Sequence, residues 1–276
     1  MAAEPPLPGR HREAYHRWTD VAAHATDHNV DLWRRGSWVA AYDNVRLSAA
    51  ERAQLRDHRV ELSSRVLEIG PGAGRLTAQL AESAATLTAF EISPAMAEAC
   101  RQRVPSADVQ VRDMRDLDGI GDASLDAVVA GCNVIDVLEH EQRLAFLRQT
   151  RAKLAPGGVL LFCTHNRDHR VRRPWQPPAW RRPSVVAATL AGLPANLSHH
   201  RRMRRHETER ADYALRNDEA HGFTLIHYYI GADAQRRQLE TCGFRLEDCM
   251  TDDAIAVDPQ GIPSVEPFLH YSARAA

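Results

Sequence analysis

The chain has 276 residues, 44% of them hydrophobic, and a formal net charge of −1. That length allows one large core, or one core plus a small accessory element, and the balanced charge gives the whole molecule no nucleic-acid signature. No run approaches the ~20 uncharged apolar residues of a membrane helix, and the five cysteines form no CxxC pair, which argues against a disulfide framework or a structural zinc site.

The N-terminal MAAEPPLPGR is proline-rich and has no apolar run after a basic patch. It reads as a loose tail rather than a secretory signal. The expectation is a cytoplasmic protein with no membrane partner, no metal and reduced thiols. Residues 10–57 are rich in Ala, Arg and Leu with no internal proline, which predicts a helical extension broken near Gly36. Its large apolar residues include Trp18, Trp33, Trp38 and Tyr42.

From residue 59 the rhythm changes to short apolar runs alternating with helical segments. Arg65 to Ile69 reads as a strand ending at a glycine, and Leu76 and Leu80 share one face of the helix that follows. Thr86 to Glu91 is the next strand. Ser93 then caps a helix with Pro94 at its first position. Val109 to Arg112 and Leu125 to Ala130 are further strands. Leu144, Leu147 and Leu154 mark the inward face of a helix near 138–154, stopped by Pro156-Gly157-Gly158. Val159 to Thr164 is continuously apolar, as at the centre of a parallel sheet. Strands alternating with helices predict βαβ units with helices on both faces.

After Asn166 the pattern dissolves until Phe223. This stretch holds prolines, Trp175, Trp180 and, over residues 167–210, eleven arginines against three acids. Phe223 to Ile230 is the next apolar run, a helix follows near 232–242, and strands begin at Gly243 and Pro267. The organisation expected is an N-terminal tail and helical extension (1–58), then one α/β domain (59–276) carrying a cap or lid insertion at about 167–222.

The strongest chemical signal is Val66-Leu67-Glu68-Ile69-Gly70-Pro71-Gly72-Ala73-Gly74, a strand running into a glycine-rich turn that opens a helix. Such a turn lets backbone N–H groups approach a ligand closely. A dinucleotide fingerprint would need a third glycine where Arg75 stands. The pattern GxGxG, with an acid two residues before it, resembles motif I of the class I S-adenosylmethionine-dependent methyltransferases. The resemblance continues through Glu91, 23 residues after Glu68, Asp113-Met114, Leu125-Asp126-Ala127-Val128-Val129 and Leu154-Ala155-Pro156-Gly157-Gly158. It covers residues 64–165 in order.

The resemblance implies a Rossmann-like, seven-stranded, mostly parallel sheet with S-adenosylmethionine as cofactor. By it, Glu68, Gly70, Gly72 and Gly74 border the methionine part. Glu91 holds the ribose with Ile92 beside it, and Asp113 and Met114 flank the adenine. Cys132 and Asn133, after Gly131, face the sulfonium. Asp116 and Asp118 compete with Asp113 for its role, and Glu91 has the plain alternative of a solvated strand-end acid.

Methyl transfer needs positioning above all, and a general base where the acceptor is a hydroxyl or a protonated amine. Histidine suits that role. His165 follows the fifth strand, at the carboxyl edge where open α/β sheets bind ligands. His140 and His227 are the other candidates, although any one of 14 histidines is as readily structural. Asn166, Tyr228, Tyr229, Trp38 and Tyr42 are candidate substrate contacts. Asn133-Val134-Ile135-Asp136 lacks the Asn/Asp-Pro-Pro-Tyr signature of base and amide methylation.

The Arg-rich insertion reads in three ways: a track for a phosphate backbone, a solvated face, or a lid whose arginines favour an anionic small molecule. The preferred reading is a lid, and with it a small-molecule methyltransferase of specialised metabolism acting on O, N or C. The alternatives are an RNA methyltransferase and a non-catalytic cofactor-binding protein. Oligomeric state is not readable from the sequence.

Overall fold

A computed structural model describes residues 25–35, 39, 46–176 and 183–276. Trp18, Trp38, Tyr42 and Trp180, and the expected break at Gly36, lie outside them.

Helix α1 (Ala25–Arg35), α2 (Ala49–Asp57) and the short α3 (Arg59–Leu62) precede the sheet. Ser48 caps α2 in a reciprocal capping box with Glu51, which satisfies two otherwise orphaned N–H groups. Strand β1 (Arg65–Ile69) leads through the glycine turn into α4 (Thr77–Leu80). Then come β2 (Thr86–Glu91), α5 (Pro94–Arg103), β3 (Asp108–Val111), β4 (Leu125–Ala130), α6 (His140–Lys153) and β5 (Leu154–Asn166). As expected, Ser93 caps α5 with Pro94 in its first turn. The chain continues with α7 (Pro183–Met203), β6 (Thr208–Glu209), β7 (Tyr213–Arg216), β8 (His227–Ile230), α8 (Ala232–Thr241), β9 (Phe244–Thr251) and β10 (Phe268–Ala275).

The expected seven-stranded sheet is present in the order β3-β2-β1-β4-β5-β10-β9, parallel except for β10, which runs antiparallel to both neighbours. Its two faces follow from the period-two alternation of strand side chains. Leu67, Ile69, Val128, Ala130, Leu160 and Phe162 face one way, against Phe146 and Leu147 of α6 and Leu239 of α8. Val66, Ala127, Val129, Val159 and Leu161 face the other, against Leu62, Leu76 and Leu80.

Three strands go beyond the expectation. The last two residues of β5 pair with β8, and β8, β7 and β6 form an antiparallel ribbon that makes the sheet ten-stranded. The stretch read as patternless therefore holds the long helix α7 and two short strands. Their signals are weak because β6 has two residues, β7 has four, and Pro194 lies inside α7. The run from Phe223 is a strand only from His227 on. His221, Gly222 and Phe223 take left-handed backbone conformations, which turn the chain before β8.

Helix α1 is fixed by polar clamps. Buried Asn29 donates to the carbonyls of Val137 and Ile226 and accepts from Ile226 N. Ala25 N donates to Glu139 Oε1, and Glu139 N to Thr26 Oγ1. These bonds hold Val30 and Trp33 over the carboxyl edge of the sheet, where they wall a cavity.

Candidate active site

The cavity holds about 450 Å³ and opens at the carboxyl ends of β1, β2, β4 and β5. A site there follows from topology, because the strand order reverses between β1 and β4 and leaves a crevice.

At its base lies the glycine turn. Gly70 and Gly72 have φ of +65° and +58°. A Cβ on Gly70 would stand 2.3 Å from Val134 Cγ2, so both backbone and packing demand glycine. Gly74 has another role: a Cβ there would press on Cys100 of α5, so it serves packing between the turn and that helix and does not line the cavity.

Glu68 and Glu91 reach the cavity from β1 and β2, both nearly inaccessible to solvent. Burial pushes the Glu68 carboxyl up to about 7, and its Oε2 has no hydrogen-bond partner. Glu91 accepts from Gly72 N and Ser93 N, both at 2.9 Å, and burial also raises its pKa. Ile92, Met96, Asp113 and Met114 continue the wall. Asp113 is gripped through both oxygens by Arg115, which also reaches Asp27 of α1. Asp116 instead pairs with Arg112. Of the three competing acids, only Asp113 faces the cavity.

Beyond β4, Cys132 and Asn133 take left-handed conformations and line the cavity. Asn133 Oδ1 is buried without a partner. Arg75 donates to Cys132 and forms a bidentate pair with Glu51 at 2.7 and 2.6 Å. The residue that replaces the third glycine of a dinucleotide site thus ties the turn to α2.

The opposite end is built around His165, at the end of β5. Its Nδ1 lies 2.7 Å from Asp136 Oδ2, and its backbone N donates to the same oxygen. Asp136 Oδ1 receives Arg143, an arginine with no exposed surface. The five N–H donors of Arg143 are all used, on Asp136, Ile135 O, Thr164, Gln235 and Gln238. Burial opposes the Asp136 charge, but Arg143 and His165 outweigh it and hold the carboxyl below its ordinary range.

His227, on β8, also lines the cavity, and its ring stacks on that of His165 at 4.7 Å. Its Nδ1 lies 2.7 Å from Asp218 Oδ2, which also accepts from Tyr229 OH at 2.6 Å and lies 3.8 Å from His165 Nε2. Burial lowers the His227 pKa, but Asp218 outweighs it and the net shift is upward. His221, pushed down to about 4 by burial, lines the same end with Trp33 and Phe268. His165, Asp218 and His227 offer ligand atoms within 4.8 Å of one another.

Several candidates lie elsewhere. His140 stacks on Tyr213 and bonds Tyr228 OH, behind the cavity wall. Tyr228 is fully buried in that cluster. Asn166 spends its side chain on Ser264 O, Glu266 O and Asp168 N, closing a loop. Tyr229 supports Asp218 rather than lining the space. Sequence reasoning missed Asp136 and Asp218. In the sequence Asp136 marks only the place of an absent Pro-Pro-Tyr, and Asp218 sits in the patternless stretch. A carboxylate near a strand-end histidine is legible only after folding.

Three of the insertion's arginines are committed to acids. Arg172 pairs with Glu219, Arg173 with Glu207, and Arg167 with Glu209. Among the described residues no helix is long and apolar enough to cross a membrane.

A family model described as Methyltransferase domain matches residues 66–158. An ubiquinone biosynthesis O-methyltransferase of Xanthomonas campestris is 31% identical over 142 residues, covering 50% of this chain and 54% of the relative. That of Xanthomonas oryzae is 30% identical over 148 residues, 51% of this chain and 57% of the relative. The chain spans about half the length of these relatives.

Two solved structures share the fold over nearly the whole chain. The 1,6-didemethyltoxoflavin-N1-methyltransferase of Burkholderia thailandensis, solved with S-adenosylhomocysteine, is 16% identical with a TM-score of 0.54, covering 99% of this chain and 93% of its own. The N-methyltransferase NodS of Bradyrhizobium japonicum, also with S-adenosylhomocysteine, is 17% identical with a TM-score of 0.52, covering 91% and 98%. Residues 66–158 match a methyltransferase-domain model, and the chain shares its fold with methyltransferases solved with S-adenosylhomocysteine.

Proposed function

We propose that the protein transfers a methyl group from S-adenosylmethionine to a hydroxyl of a small molecule, with His165 as general base. The observation that carries this reading is the His165–Asp136 pair at the end of β5, in the same cavity as the glycine turn. Asp136 receives Nδ1–H and so leaves the lone pair on Nε2, the nitrogen that takes a proton.

The residues present fit the cofactor. The unpartnered Glu68 Oε2 and Asn133 Oδ1 are acceptors suited to the ammonium of its methionine part. Glu91 offers a carboxylate to ribose hydroxyls, and Asp113 and Met114 flank an adenine. When bound, S-adenosylmethionine supplies a methyl group on a cationic sulfur that leaves as a neutral thioether. His165 Nε2 receives the hydroxyl proton as the acceptor oxygen takes the methyl carbon. Trp33, Val30, Val137 and Phe268 keep water from that end.

The relatives named as O-methyltransferases support oxygen as the acceptor atom. Arg167, Arg172 and Arg173 spend their charge on acids of this chain, which weakens a phosphate-track reading at those three positions. The test is S-adenosylhomocysteine release with panels of phenols, alcohols and amines, on wild type and His165→Gln. Turnover confined to hydroxyl acceptors is expected. The variant should lose roughly 100- to 10,000-fold in kcat, the usual worth of a general base, with cofactor affinity unchanged. A wild-type rate in His165→Gln would remove that residue from the mechanism.

A further inference from the structure

We propose that His227, held by Asp218 of the insertion, is a second working imidazole, whose Nε2–H donates a hydrogen bond to the acceptor oxygen that His165 deprotonates. This rests on the hydroxyl-acceptor reading and adds to it a division of labour between two histidines.

The geometry comes first. Both rings line the acceptor end, stacked at 4.7 Å. Each is anchored through Nδ1, at 2.7 Å, to a buried carboxylate: Asp136 for His165 and Asp218 for His227. The anchoring leaves Nε2 as the working nitrogen of each ring. The two carboxylates differ in what else they hold. Asp136 is neutralised by Arg143. Among the described residues Asp218 pairs with no arginine or lysine; it accepts from Tyr229 OH, Ala220 N and His227. Of the two imidazoles beside it, His227 at 2.7 Å is nearer than His165 at 3.8 Å, so the cation that balances Asp218 is the His227 imidazolium.

The groups facing His227 are His165 from β5, Asp136 from the turn after β4, Asp218 and His221 from the insertion, and Tyr229 on β8 with Arg216 over its ring. Like charges on two stacked rings repel, which disfavours a positive charge on both at once. Asp218 favours the charge on His227, the ring it holds at 2.7 Å. A neutral base beside a cationic donor suits an oxygen that becomes negative as its proton leaves. The proton goes to His165 Nε2, and the hydrogen bond from His227 shortens as charge builds on oxygen.

The experiment is ¹⁵N NMR of the imidazoles in the full chain, saturated with S-adenosylhomocysteine, through a pH titration, with 4-nitrophenol as hydroxyl probe. At neutral pH, His165 should be neutral with its proton on Nδ1, and His227 should carry protons on both nitrogens. Adding 4-nitrophenol should move the His227 Nε2–H resonance downfield. Asp218→Asn should remove the His227 charge at neutral pH while leaving the His165 tautomer intact, which a purely structural Asp218 would not do. Tyr229→Phe, a milder change at the same carboxylate, should keep His227 charged. A neutral His227 in wild type, an Nε2–H resonance that 4-nitrophenol leaves in place, or a stoichiometric divalent metal on His165, Asp218 and His227 would overturn the proposal. Failure of the protein to bind S-adenosylmethionine would sink the functional reading instead, without bearing on the charge of His227.

Discussion

Glu68 shows how a single residue couples site and environment. Buried at the end of β1 with one oxygen unpartnered, it titrates near 7 rather than in the ordinary carboxylate range. Its folded value is raised, so the folded state loses stability relative to the unfolded chain as pH rises from the ordinary range through 7. A cationic amino group placed beside it favours the ionised form. Binding of S-adenosylmethionine below that pH should therefore release a proton, and affinity should rise as pH passes through 7. Calorimetry in two buffers of different ionisation enthalpy reads this directly. Glu68→Gln should abolish the proton release and weaken binding roughly ten- to a hundredfold, the worth of a hydrogen bond to a charged group. Unchanged proton release in the variant would exclude Glu68 as its source. Glu68 and Gly70 were legible because their signals are local, an acid and glycines at fixed spacing. Asp136 and Asp218 were not, because each acquires meaning from a histidine 29 or 9 residues away.

Elements of the sheet were legible where burial on both faces writes a continuous apolar run, as in β4 and β5. Strands β6 and β7 of the ribbon were not, because they have two and four residues, and β8 showed only as the end of the apolar run from Phe223. Yet this ribbon carries His227 and sets Asp218 against it. Helix α1 was expected as part of an extension, but its docking was not. Asn29 makes the docking specific, with three hydrogen bonds to two separate segments. Asn29→Ala orphans buried carbonyls and should cost ~1–3 kcal/mol. Urea unfolding should show that loss, and hydrogen exchange should quicken across Ala25–Arg35. Exchange at the wild-type rate would mean that α1 is held by its apolar contacts alone.

On the scale of the whole molecule, two unlike halves meet at one cavity. The half carrying the glycine turn, Glu68, Glu91 and Asp113 follows a pattern that the sequence displays in order. The half carrying His165, His227 and Asp218 is assembled from the end of β5, the insertion and the added ribbon. Fold class was therefore readable, whereas the acceptor end depended on long-range pairing. Cofactor binding is the claim on which both halves depend, and calorimetric titration of the purified protein with S-adenosylmethionine, S-adenosylhomocysteine and NAD tests it most directly. Saturable binding of the first two, and none of NAD, is the predicted result. Binding of NAD, or of none of the three, would contradict the account.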